Sequence, residues 1–185
     1  MTRAADAGRS ELEPLRYPLG RFKVDVRATD EKRRAWIDEL AVFPETVRAA
    51  VAGLSDEQLD TPYRPDGWTV RQVVHHLPDS HTSAYVRFKL ALTEDEPMVK
   101  TFEQDRWAEL ADASSPVEVS IALLEAIHRR WAILLRSLDA KQFARAFRHP
   151  EWGRTTLDTA LQMYAWHGRH HVAHITGLRE RKGWT

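Results

Sequence analysis

The chain has 185 residues, a length that suits one domain able to bury its own core. Its 27 basic residues balance its 27 acidic ones, and no basic patch indicates a nucleic-acid partner. Cysteine is absent, which excludes disulfides, thiolate metal ligands and a cysteine nucleophile. No apolar run approaches the ~20 residues that cross a bilayer, and residues 1–10 lack the apolar core of a secretory signal. We therefore expect a cytoplasmic protein without a membrane or nucleic-acid partner.

The mixed, proline-containing residues 1–28 predict an N-terminal arm that wraps a single domain of residues 29–185. Thr29 is a candidate N-cap for the first long helix, whose apolar positions continue to Leu54. Pro44 falls inside this helix, and we expect a kink there because proline has no backbone N–H to donate.

The second helix is predicted from a capping box that begins at Thr69 and runs to about Leu92. Residues 94–114 predict a long, partly ordered connection. The clearest helix start follows it, with Ser115 as the expected cap, Pro116 at the first helical position and an apolar stripe beyond. This third helix has apolar residues at helical spacing as far as Leu138.

Residues 143–156 indicate a turn or a small hairpin, after which the last helix is predicted from about Leu157 to Arg181, before Gly183. Four long helices without a regular strand pattern predict an all-α fold. The expected architecture is a four-helix bundle with an N-terminal arm and a small hairpin or turn before the last helix.

Histidine is concentrated in the last helix, which carries four within eight residues: His167, His170, His171 and His174. His167 and His171 are four residues apart, so they lie on one helical face and can reach one metal ion. His174 extends this stripe by another turn, where we expect it to line a pocket. We expect His170 to point away, towards a neighbouring helix or solvent.

A second cluster lies near the start of the second helix: His75, His76 and His81. One of them could supply a third nitrogen, although periodicity alone leaves the choice among the three open. Three histidines from two helices would leave coordination positions free on the metal, which is typical of catalytic rather than structural sites. His128 and His149, elsewhere in the chain, are expected to be structural.

The segment from Gly67 to Leu77, followed by Asp79-Ser80-His81, resembles the second helix of DinB-like proteins, specifically of the YfiT subgroup. Further segments match as well, so the resemblance runs from about Tyr17 to Trp184: residues 17–22, 59–64, 84–90, 149–150 and 164–167. The resemblance implies a four-helix bundle in which three histidines hold a divalent metal. Carried onto this sequence, those ligands are the second histidine of the His75-His76 pair and the last-helix pair: His76, His167 and His171.

The same resemblance implies a homodimeric metal-dependent hydrolase that holds one zinc or nickel ion per chain, activates water and acts on a small-molecule substrate. Two alternatives stay open. The first is a metal-dependent transferase of low-molecular-weight thiols such as bacillithiol, since the wider family includes such enzymes. The second is a non-catalytic protein that binds a metal or ligand.

No general base is evident on the ligand helix, because Gly168 rather than glutamate follows His167, unlike the His-Glu-x-x-His helix of zinc proteases. Asp79 is a weak catalytic candidate, three residues after His76 and near its helical face. It could orient a ligand imidazole or accept a proton from water, or it could be an ordinary surface carboxylate. Trp68 and Trp166 are candidates for the pocket walls.

Overall fold

All four long helices predicted from the sequence are present in the computed structural model, which describes residues 12–184. The described helices and strands are, in order, α1 (12–16), α2 (Asp30–Val51), α3 (Asp56–Leu59), α4 (Val70–Thr93), α5 (Gln104–Trp107), α6 (Val117–Arg136), α7 (Ala140–Phe143), β1 (Ala146–His149), β2 (Gly153–Thr156) and α8 (Leu157–Lys182). The predicted four-helix bundle is confirmed, and the small hairpin before the last helix is the antiparallel pair β1–β2. No helix in the described range is long and apolar enough to cross a membrane.

Helix starts follow the predicted capping chemistry at α2 and α4 but not at α6. The Thr69 hydroxyl accepts from the backbone N–H of Gln72, and the Gln72 side chain accepts from the N–H of Thr69. The cap predicted at Ser115 is wrong by one residue, because α6 begins at Val117 with Pro116 in the cap position. The Ser115 hydroxyl instead donates to the carbonyl of Asp112, and so closes the preceding turn of 3₁₀ helix.

The apolar core is divided into two clusters along the bundle. One contains the first half of α4 and the second half of α2, with Val47, Val74 and Leu124 among its buried members. The other contains the opposite ends of the same helices, with Phe88 and Trp131 fully buried. On α6 and α8 the buried histidines occur in the sequence between the contributions of the helix to these clusters, and on α4 the same holds for His81 but not for the His75-His76 pair. The histidines between the clusters form a polar layer between two apolar ones.

A close approach of α8 to α2 explains the glycine that follows His167. A Cβ atom on Gly168 would lie 2.8 Å from Cε2 of Phe43, closer than carbon atoms pack. Any side chain here, including the glutamate of the zinc-protease motif, would push the Phe43 ring away. Phe43 in turn stacks on His81, with ring centroids 5.2 Å apart, so this contact supports the histidine layer.

The segment before α2 lies along α8. The backbone N–H of Asp25 donates to the Gln162 side chain over 2.8 Å, and the ring of Phe22 lies 5.8 Å from that of Trp166. The predicted arm covered residues 1–28, of which residues 1–11 lie outside the described range.

The connection between α4 and α6 is more ordered than the expected partly ordered segment. It contains α5 and a turn of 3₁₀ helix, and it pairs with the hairpin through backbone bonds. The Val99 N–H donates to the carbonyl of Arg148, and the Arg148 N–H donates to the carbonyl of Pro97. Because these bonds depend on a strand about fifty residues downstream, a local sequence window does not reveal them.

Candidate metal centre

Three histidine side chains from α4 and α8 meet inside the bundle. Nε2 of His167 lies 3.4 Å from Nε2 of His76 and 3.2 Å from Nε2 of His171. Within residues 12–184 these three form a group whose potential ligand atoms all lie within 4.8 Å of one another. We call this group the histidine triad. Three imidazole nitrogens converging on one point fit a zinc-like divalent ion with at least one coordination position left open.

Burial keeps the triad neutral and ready to bind a cation. It lowers the pKa of His76 to about 4 and the pKa values of His167 and His171 well below the ordinary value. The neighbouring imidazoles lower the last two further, because a proton on one ring would repel a proton on the next. At neutral pH each ring therefore keeps a nitrogen lone pair.

Behind the triad, two more histidines connect His167 to the backbone of α2. Nδ1 of His167 lies 3.1 Å from Nε2 of His81, and Nδ1 of His81 lies 2.8 Å from Nε2 of His128. Nδ1 of His128 lies 2.5 Å from the carbonyl oxygen of Leu40. We call this chain of His167, His81, His128 and the Leu40 carbonyl the histidine relay.

The position of every proton in the relay follows from its last member. The Leu40 carbonyl can only accept, so His128 carries its proton on Nδ1 and accepts at Nε2. His81 must then donate from Nδ1 and accept at Nε2, because burial keeps the pKa of both rings low and both rings neutral. His167 in turn donates from Nδ1, which leaves the lone pair of its Nε2 directed into the triad.

Pro44 makes the Leu40 carbonyl available to this relay. In an uninterrupted helix that carbonyl would accept the backbone N–H of the residue four positions later, and here that residue is proline, which has none. The sequence indicated a kink at Pro44 and a structural His128, and it left His81 among the candidate ligands. Two features of the sequence could have suggested the relay: Pro44, which leaves a carbonyl of α2 without its helical partner, and the histidines His81 in α4 and His128 in α6.

The remaining candidate histidines have other partners. Nε2 of His174 lies 3.2 Å from the Arg16 carbonyl and its ring stacks on Tyr63. Its ring centroid lies 5.3 Å from that of His171, but its nitrogens do not join the triad. His170, expected at a helix contact or in solvent, is buried and stacks on Trp166. His75 lies 2.6 Å from the hydroxyl of Ser120 through its Nδ1 atom.

Asp79 is half-buried on α4, and burial, with repulsion from Asp112, raises the pKa of its carboxyl to about 6. Its side chain makes no hydrogen bond to any residue of the described range. Asp79 thus lies near His76 on α4, as its spacing predicts, but its carboxylate does not join the triad. Its catalytic role stays a prediction.

A cavity of about 1140 Å³ reaches the triad at His167, which is among its lining residues. Five Phe, Tyr and Trp side chains line it together with polar and charged ones, and its volume suits a small molecule. The apolar lining comes from Phe22, Val24, Phe102, Trp152, Met163, Tyr164 and Trp166. Trp68 covers the triad elsewhere, with its ring 4.7 Å from that of His76. Both tryptophans that the sequence suggested therefore lie near the site.

A second cavity of about 1350 Å³ lies beside Arg71 and Gln72 near the start of α4. It is larger, but none of the triad histidines lines it. The cavity at His167 is therefore the one from which a substrate could reach the metal centre.

The buried histidines predict how the stability of the metal-free protein depends on pH. Burial lowers the pKa of His128 and His170 to about 4, whereas an exposed histidine has a pKa of 6.5. The unfolded chain therefore binds protons that the folded chain does not, so stability is full above pH 6.5 and falls as the pH drops towards 4. Each such group contributes a slope of up to about 1.4 kcal/mol per pH unit.

Urea unfolding at pH 7.5, 5.5 and 4.5 in the presence of a chelator measures this dependence. A His128→Phe variant removes one of the groups and should show a shallower fall. Equal stability of the wild-type protein at pH 7.5 and 4.5 would contradict the prediction.

Four long helices that bring three histidines from two of them to one buried point define a helical metal-site protein. The model of the DinB superfamily matches residues 39–175, well over half of the chain and the range that holds the whole triad. The chain therefore belongs to the DinB superfamily, which confirms the resemblance seen in its second helix.

Its relatives include proteins of Bacillus cereus (strain 03BB102) and Bacillus anthracis (strain A0248) that carry the provisional name of metal-dependent hydrolase. Each is 50% identical over 173 residues, which span 94% of this chain and 100% of the relative. YfiT from Bacillus subtilis, described as a probable metal-dependent hydrolase with an unusual four-helix bundle topology, matches at a TM-score of 0.91 and 46% identity. That match covers 93% of this chain and 99% of YfiT. The four-helix bundle protein TT2238, at a TM-score of 0.55 and 19% identity, shows the fold alone.

Proposed function

We propose that this protein is a metal-dependent hydrolase in which His76, His167 and His171 hold one divalent ion, zinc or nickel, that activates water. The observation that carries this proposal is the meeting of three neutral imidazole nitrogens beside a cavity large enough for a small molecule. The names of the relatives support the same reaction class.

The ion would act as a Lewis acid, and zinc in such a site lowers the pKa of its bound water to about 7. The residues of the chain prepare the site for that chemistry. The histidine relay orients His167, and five Phe, Tyr and Trp side chains line the cavity beside it. Tyr164 is one of these side chains, and because burial raises the pKa of its hydroxyl, it keeps its proton at neutral pH and can donate to a substrate.

Removal and replacement of the metal test the proposal. We expect protein stripped with a chelator to be inactive on a panel of small esters, amides and lactones. Zinc or nickel should restore activity at about one ion per chain, whereas magnesium should not, because it prefers oxygen ligands. Full hydrolytic activity of the stripped protein would contradict the proposal.

The same panel separates the two alternatives. Metal-dependent conjugation of bacillithiol or glutathione to an electrophile, without hydrolysis of any panel member, would identify a thiol transferase instead. One bound metal per chain with neither reaction would identify a non-catalytic binding protein. Homodimerisation and a cytoplasmic location stay predictions from the sequence.

A further inference from the structure

Arg87 is a buried cation without an ion-pair partner among the residues that the structure describes. Arg87 is only 5% exposed, and no carboxylate between residues 12 and 184 lies within 4.0 Å of its guanidinium. It donates to the hydroxyl of Tyr164 over 3.2 Å and to the carbonyl of Lys100 over 2.9 Å, both of which are neutral acceptors. A buried charge without an opposite charge is costly, so an arrangement of this kind calls for an explanation.

The other arginine buried among the described residues shows the usual solution. Arg71 is 9% exposed, and it pairs with the carboxylates of Asp60 at 2.6 Å and Asp56 at 2.8 Å. Arg87 has a similar burial but its counter-charge is missing. A guanidinium has more N–H groups than the two hydrogen bonds of Arg87 use, so donors remain for an anion.

Arg87 lines the same cavity as His167. The Tyr164 side chain connects the two, since its hydroxyl accepts from Arg87 and its ring centroid lies 5.9 Å from that of His167. The Trp152 ring covers another side of the guanidinium, with the ring centroid 5.8 Å from Cζ. A molecule in the cavity can therefore contact Arg87 and His167 at the same time.

Three exposed carboxylates also line the cavity, those of Glu103, Asp105 and Glu151, but none lies within 4.0 Å of the Arg87 guanidinium. Arg154 pairs with Glu96 at 2.5 Å, and Arg106 pairs with Glu103 at 3.2 Å. These pairs are exposed to solvent and are therefore screened. Among the arginines that line the cavity, Arg87 is therefore the one that is buried and has no carboxylate of the described residues within 4.0 Å.

We propose that Arg87 binds an anionic group, a carboxylate or a phosphate, of a small substrate whose apolar body packs against the aromatic walls of the cavity. This assignment deepens the proposed function. The hydrolysis of the bound molecule rests on the proposed metal centre, whereas the binding of its anionic group to Arg87 does not. The anion satisfies the guanidinium through charge-assisted hydrogen bonds, and the scissile bond is thereby held on the side of His167. Substrates lacking the anionic group bind weakly.

Calorimetric titration with three probes of one shape, benzoate, phenylphosphonate and benzamide, tests the assignment in metal-free and zinc-loaded protein. We expect one of the two anions to bind the metal-free wild type at least about tenfold more tightly than neutral benzamide, and the tighter anion identifies the headgroup. Arg87→Met should bring this ratio close to one. Arg145→Gln is the matched control, because Arg145 also donates to backbone carbonyls, those of Ala91 and Glu94, but lies outside the cavity.

Arg87→Lys keeps the charge and decides the question if Arg87→Met does not fold. It should weaken anion binding several-fold and leave benzamide binding unchanged, because lysine does not form the paired bonds of a guanidinium. Equal binding of anions and benzamide to metal-free wild type, or an unchanged ratio in the Arg87 variants, would overturn the proposal.

The metal-free and zinc-loaded arms separate this proposal from the hydrolase assignment. A preference for anions that occurs only after zinc is added places the anion on the metal, which overturns the role of Arg87 and leaves the metal centre standing. If the wild-type protein prefers anions but binds neither zinc nor nickel, the role of Arg87 in anion binding is supported and the proposed hydrolase is overturned.

Discussion

Replacement of His167 or His171 by alanine is expected to abolish metal binding, from about one ion per chain to none, while the chain still folds. Each variant leaves two nitrogens, and no other His, Asp or Glu among the described residues completes a group of three with them, which is too few for a stable zinc or nickel site. The fold should survive because both apolar clusters, one on each side of the histidine layer, are untouched. Elemental analysis of protein purified without a tag measures the change.

Thermal unfolding gives a second readout of the same variants. A ligand at a thousand times its dissociation constant stabilises the folded state by about 4 kcal/mol. For a domain of this size that corresponds to a rise in Tm of roughly 8–16 °C, which zinc should cause in the wild type and not in the variants. His170→Ala is the matched control, since His170 is on the same helix and about as buried as His171 but lies outside the triad. Full metal occupancy of the His171 variant would show that the ligand assignment is wrong.

Replacement of His128 by phenylalanine is expected to weaken metal binding by about 10- to 100-fold, although His128 does not touch the triad. The variant removes the acceptor of His81 and the donor to the Leu40 carbonyl, so the proton positions in the relay are no longer determined. His167 can then carry its proton on Nε2, which must lose it before a metal binds there. Competition with a chromogenic zinc chelator measures the affinity.

His75→Phe is the control for this variant, because His75 is also buried and hydrogen-bonded but belongs to neither the triad nor the relay. Nitrogen NMR of the imidazole rings separates positioning from a loss of packing. In the metal-free wild type His167 should carry its proton on Nδ1, and in the variant this preference should diminish. Unchanged zinc affinity and an unchanged proton position would show that the relay does not prepare His167.

Much of this protein follows from short stretches of its sequence. The capping box at Thr69, the helix end at Gly183 and the helical spacing of the apolar residues depend on contacts within a few residues, so the four helices could be predicted. The proximity of His167 and His171 is equally local, since it needs only a helix. His76 was different: spacing left three histidines open in α4, and only the family resemblance selected one.

The partners of the site were decided by the tertiary structure alone. The relay joins α8, α4 and α6 to a carbonyl of α2, and the Leu40 carbonyl lies 88 residues from the His128 side chain that binds it. The isolated charge of Arg87 is likewise invisible in the sequence, where carboxylates are as frequent as cations. The physical reason is the same in both cases. Helical periodicity determines which face of a helix is buried, but which polar groups meet on that face depends on how the helices pack against one another.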